Sequence, residues 1–127
     1  MSNIEASFLS TERLHQFLEL NQRETDIFSK DVLVNGFVLH RVEVVDGYVT
    51  LMPLKGRAKP ITGRDLHELL HRTMLEHNGE NRTHCVFANF DRFKLDDENL
   101  TYARIVDDQV ILMTSAFASI EQAEHVQ

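Results

Sequence analysis

The chain has 127 residues, 43% of them apolar, which supplies a core for one folded domain and is too much for a disordered polymer. A formal net charge of −7 disfavours a purely electrostatic binder of nucleic acid or anionic membrane. No apolar run approaches the roughly 20 residues of a membrane span.

Met1 to Arg13 lacks the basic-then-apolar build of a secretory leader. The lone Cys85 has no partner for an internal disulfide, which fits a reducing compartment. The expectation is one cytoplasmic domain over residues 1–127. In that setting Asn81-Arg82-Thr83 and Asn99-Leu100-Thr101 match the glycosylation pattern by chance.

In chain order, Ser10 is placed to cap a first helix, with Glu12 in its first turn. Leu14, Phe17 and Leu18 recur at helical spacing and define its buried face. The helix should end in the polar run Asn21 to Asp26. Asn35-Gly36 and Asp46-Gly47 then favour two tight hairpin turns, because both central positions of such turns need positive φ. They separate Val32-Val34, Phe37-Val45 and Tyr48-Leu54, which predicts a three-stranded antiparallel meander. Its register sets Val45 opposite Tyr48, Val44 opposite Val49 and Val42 opposite Leu51. Leu33, Val38, Val42, Val44, Val49 and Leu51 then share the core face. Arg41, Glu43 and Thr50 share the outer one, with Tyr48 and Met52 as further candidates for a partner or dimer surface.

Thr62 followed by Asp65 reads as a capping box for a second helix, which Asn78-Gly79 should stop. His84-Phe90 is a candidate strand. Leu100-Val106 and Gln109-Thr114 form a second hairpin around Asp107-Asp108. Ser115 would cap a short last helix with Phe117 and Ile120 inside. The fold class is α+β: an antiparallel sheet of two hairpin units, about five to six strands, with helices at the N-terminus, middle and C-terminus.

The second helix carries His67-Glu68-Leu69-Leu70-His71, followed by His77. Two His four apart share a helix face and can hold one zinc ion, with the intervening Glu as general base. The segment resembles a zincin metallopeptidase helix. That resemblance implies His67, His71 and His77 as zinc ligands and Glu68 as the catalytic base. It departs at Met74, where the related pattern has the Gly that turns the chain back toward a third His. At roughly 100° per residue, a continuing helix points His77 away from the other two. Arg72 also stands where an uncharged residue is usual, and Glu80 or Glu98 could substitute as third ligand, though nothing in the sequence marks them. The preceding strands read as a plain meander, whereas zincin helices pack on a sheet with parallel strands. Equally, Leu66, Leu69 and Leu70 form the buried stripe of an ordinary amphipathic helix, bordered by the His. Glu68, Arg72 and Glu76 make an i,i+4 ladder on its wet face. The non-catalytic reading is preferred.

Lys55, Arg57, Lys59 and Arg64 cluster ahead of a helix N-terminus with no acid among them, a candidate anion or partner contact. His40 reads as a border residue of the sheet. Cys85 reads as a small buried hydrophobe, and Asp96-Asp97-Glu98 as a solvated turn.

The element order (helix, three strands, helix, two strands, helix) resembles class I type III secretion chaperones. Val38-Val45 and Tyr48-Leu54 match the meander, Leu66-Glu76 the second helix, and Tyr102-Ile105 with Val110-Met113 the last strand pair. His84-Lys94 would be extra. The resemblance implies a homodimer that wraps an extended protein segment and needs no cofactor. The expected function is a non-catalytic, chaperone- or adaptor-like protein-binding module with no nucleic-acid or membrane partner. The alternative is a zinc-dependent hydrolase.

Overall fold

The computed structural model describes residues 3–5, 9–45, 48–53, 59–76, 85–87 and 99–115. Over these the fold is α+β, with two helices and eight strands in two sheets. Helix α1 spans Thr11–Asn21, and its N-cap Ser10 accepts a hydrogen bond from the Arg13 N–H at 3.2 Å. Leu14, Phe17 and Leu18 are buried as the spacing requires, and so is His15, which hydropathy does not mark. Helix α2 spans Gly63–Glu76 and opens on a reciprocal capping box. The Thr62 N–H donates to the Asp65 carboxylate at 3.2 Å, and the Asp65 N–H donates to the Thr62 hydroxyl at 3.3 Å.

The strands are β1 (Asn3–Glu5), β2 (Leu33–Val34), β3 (Phe37–Val38), β4 (Arg41–Val45), β5 (Tyr48–Met52), β6 (Cys85–Phe87), β7 (Leu100–Val106) and β8 (Gln109–Thr114). They form one sheet in the order β1-β7-β8-β2-β3 and another in the order β4-β5-β6. Local hairpins fall where their turn residues place them. Asn35 and Gly36 have φ of 50° and 80°, and Asp107 and Asp108 have 51° and 60°. Val45 pairs with Tyr48, Val44 with Val49 and Val42 with Leu51, in the expected register.

Two features differ from the expected meander. Phe37-Val45 is not one strand, because the chain leaves the first sheet at Leu39-His40 and enters the second. Leu39 holds the bend: its N–H donates to the Val32 carbonyl at 2.9 Å, and its carbonyl accepts from the Ile61 N–H at 2.8 Å. Neither sheet is purely antiparallel either. β2 runs parallel to β8, and β5 runs parallel to β6. α2 is therefore the crossover helix of a β5-α2-β6 unit, the connection that parallel neighbours require.

A single apolar cluster joins both sheets to both helices, with Leu14, Leu18, Leu66, Leu70, Val34, Leu51 and Leu112 all at its centre. Burying a leucine side chain of this kind contributes about 1.5–3 kcal/mol, so α1 and α2 are held mainly by these faces. Later residues of α1 meet earlier residues of α2. Glu19 approaches His67, and the Ile27 carbonyl that follows α1 touches Gly63, so the two helices run antiparallel. Among the described residues no helix is long and apolar enough to cross a membrane. Of the expected C-terminal helix only Ser115 is described, and Phe117 and Ile120 lie outside the described residues.

Candidate functional site

Antiparallel packing of α1 on α2 brings together residues far apart in sequence. His15 and Glu19 lie four apart on α1, and His67 and His71 lie four apart on α2, so each pair shares a helix face. With Glu68 and Arg72 these four line a cleft of about 440 Å³. The His15 and His67 rings stack with centroids 4.3 Å apart and planes at 22°. The His71 ring lies 5.4 Å from that of His15. Phe28 packs at 5.2 Å on His67, and the Arg64 guanidinium sits over Phe28 at 5.9 Å.

His15 forms the floor of the cleft, with only 9% of its surface exposed. Burial holds its imidazole below the ordinary histidine pKa. His67 adds to that effect, Glu19 opposes it, and His71 adds a smaller share in the same direction. His15 Nδ1 lies 4.0 Å from a Glu19 carboxylate oxygen, beyond hydrogen-bond range. Nε2 of His15 and Nε2 of His67 are both buried and have no hydrogen-bond partner among the described residues. A buried polar atom left unpaired costs about 1–3 kcal/mol, so two on residues lining one cleft call for a ligand, an ordered water or a functional reason. One donor atom each from His15, Glu19 and His67 falls within 4.8 Å of the others.

Of the residues picked from the sequence, His67, Glu68 and His71 therefore line one cleft, with His67 half-buried and the other two exposed. His77, Glu80 and Glu98 lie outside the described residues. The companion that α2 meets is His15, which sequence reasoning missed together with Glu19. The available signal was the repeated His-x-x-x-(Glu or His) spacing on two amphipathic helices.

Lys59 and Arg64 are exposed, and Lys55 and Arg57 lie outside the described residues. Arg41 and Glu43 form an ion pair along β4, Tyr48 is 40% exposed, and Met52 is half-buried. Thr50 departs from the expected open face. Pairing of β5 with β6 sets it beside Val86 and leaves it 2% exposed. Its hydroxyl donates to the Tyr48 carbonyl of the same strand at 3.3 Å.

Comparison with protein-family models, with curated proteins and with solved structures gave no match.

Proposed function

We propose that this chain is a small, non-catalytic protein-binding module of the cytoplasm, chaperone- or adaptor-like in action, which docks partners along strand β4 and first of all pairs with a second copy of itself. The observation that carries this reading is the open side of β4. Among the described residues β4 pairs with β5 and with no other strand. Because Val45 and Tyr48 close a hairpin over two residues, Arg41, Glu43 and Val45 exchange hydrogen bonds with β5. The backbone groups of Val42 and Val44 therefore face the open edge, and the Val44 side chain is 43% exposed beside them. Such an edge is a template for strand addition.

A second copy fits for a reason of charge. An antiparallel β4–β4 pair centred on Val42 sets Arg41 opposite the partner's Glu43, and the twofold axis repeats the contact. The lone Cys85, buried and unpaired with any other cysteine, is compatible with a reducing compartment.

Light scattering behind size exclusion, run over a wide range of protein concentration, tests the dimer. Val44→Pro removes an N–H that β5 does not need, and proline is tolerated at edge positions of this kind. The expected result is a dimeric parent chain and a monomeric variant with an unchanged circular dichroism spectrum. A parent chain that stays monomeric throughout, or a variant that still dimerises, counts against the reading.

Zinc-dependent hydrolysis stands second, favoured by the placement of His67, Glu68 and His71 in one cleft. The two readings part at Glu68: a hydrolase needs its carboxylate, and a binding module does not.

A further inference from the structure

We propose that His15 and Glu19 of α1, with His67 of α2, form an interhelical site for a divalent transition-metal ion of the zinc class, with His71 as the available fourth donor. The site rests on the geometry of the cleft and is independent of docking at β4. It differs from the zincin arrangement in its first ligand: the pair is made across two helices, and Glu68 is not part of it.

Three observations converge. The donor set is two imidazoles and one carboxylate, all within 4.8 Å of one another. Imidazole with carboxylate suits zinc, cobalt and nickel, whereas calcium and magnesium prefer oxygen alone. Donor atoms around a tetrahedral zinc lie roughly 3.3 Å apart, given bonds of about 2.0–2.1 Å. Binding an ion therefore requires the three side chains to turn toward one another and close that difference. Second, the buried nitrogens are the ones that lack partners. Nε2 of His15 and Nε2 of His67 are buried and have no hydrogen-bond partner among the described residues, so neither ring is held in place by a hydrogen bond at that atom, and His15 is nine-tenths buried. A ring stack leaves both unsatisfied, whereas a ring turned so that Nε2 is its donor to a shared cation gives that nitrogen a partner. Third, the floor is buried while the rim is open. The Glu19 side chain is 52% exposed, and His71 is exposed one turn along α2, so an ion has a path in and a fourth position to fill.

An ion held this way ties α1 to α2, and a ligand that binds only the folded chain raises its melting temperature. The test uses the full chain without a polyhistidine tag, stripped with chelator and titrated with ZnCl2 and separately with CoCl2. One equivalent of zinc should bind and raise the melting temperature, and one equivalent of cobalt should give the visible absorption of a tetrahedral site. His15→Gln and His67→Gln should each weaken zinc by at least about 100-fold, the upper end of what loss of even an outer contact costs. Glu19→Gln changes a half-exposed side chain, so the fold survives, and it should weaken zinc by about tenfold or more. Glu68→Gln should bind zinc as the parent chain does. Two results would overturn the proposal: no zinc retained at micromolar concentration, or a folded Glu19→Gln or His15→Gln chain that binds zinc as tightly as the parent. The second result with His67 still required would return the ion to α2 alone.

Discussion

His15 occupies a position that hydropathy would give to a leucine. It follows Leu14 in the buried stripe of α1, and the helical period alone cannot tell a polar member of that stripe from a border residue. What distinguishes it is its partner on α2, and sequence spacing does not reveal which helix faces which. Cys85 is the opposite case, since a lone cysteine in an apolar stretch is readily read as core. The structure buries it fully, and burial pushes its thiol from 9.0 up to about 12, with a Thr11 hydrogen bond opposing the shift. Two outcomes follow from that burial. The thiol should resist iodoacetamide at pH 8 in the native chain and react fully in denaturant. Above pH 9 the unfolded thiol ionises while the folded one stays protonated, so the folded state binds more protons and stability falls as pH rises. Urea midpoints at pH 8 and pH 10 should show this drop, and Cys85→Val should reduce it.

At the scale of elements, what the sequence reveals is what neighbours in the chain decide. Ser10, the Thr62-Asp65 box, Asn35-Gly36 and Asp107-Asp108 each act over a few residues, and all four features form where expected. The parallel pairs β2–β8 and β5–β6 join strands far apart in sequence and carry no turn signature, so the meander pattern hid them. The break at Leu39 was hidden for the same reason, because its anchors Val32 and Ile61 come from other segments. Gly63 shows how closely such segments fit. A Cβ there would lie 2.3 Å from the Ile27 carbonyl oxygen, and that oxygen belongs to backbone that cannot swing away. The Gly63 N–H also donates to the Lys30 carbonyl at 3.0 Å, which fixes the start of α2 against the Ile27–Ser29 turn. Gly63→Ala should therefore destabilise by about 1–3 kcal/mol, read as a lower urea midpoint with an unchanged slope. A loss within a few tenths of a kcal/mol would mean that the turn and helix separate without penalty.

For the whole molecule, the strand β4, which has one open side among the described residues, and the charge order along it make a prediction that composition could not. Arg41 and Glu43 flank Val42, so the strand reads as basic, apolar, acidic in one direction and as its complement in the other. In an antiparallel dimer centred on Val42, Arg41→Glu sets two acidic pairs across the interface, and Glu43→Arg sets two basic pairs. Each cross-strand charge pair contributes about 0.2–1 kcal/mol, and like charges cost a similar amount. Inverting both symmetric contacts should weaken the dimer by about 1–4 kcal/mol, or roughly five- to several-hundred-fold. Each single variant should then run as a monomer at concentrations where the proposed parent dimer forms. The double variant Arg41→Glu/Glu43→Arg restores opposite charges at both contacts and should dimerise again. Mixing the two single variants should give a heterodimer, since one strand is then wholly acidic and the other wholly basic. An interface that used these side chains without pairing the two strands about Val42 would also lose affinity on charge inversion, but it would not recover in the double variant and in the mixture alike. Dimers that form equally well in all four samples would place the interface away from β4.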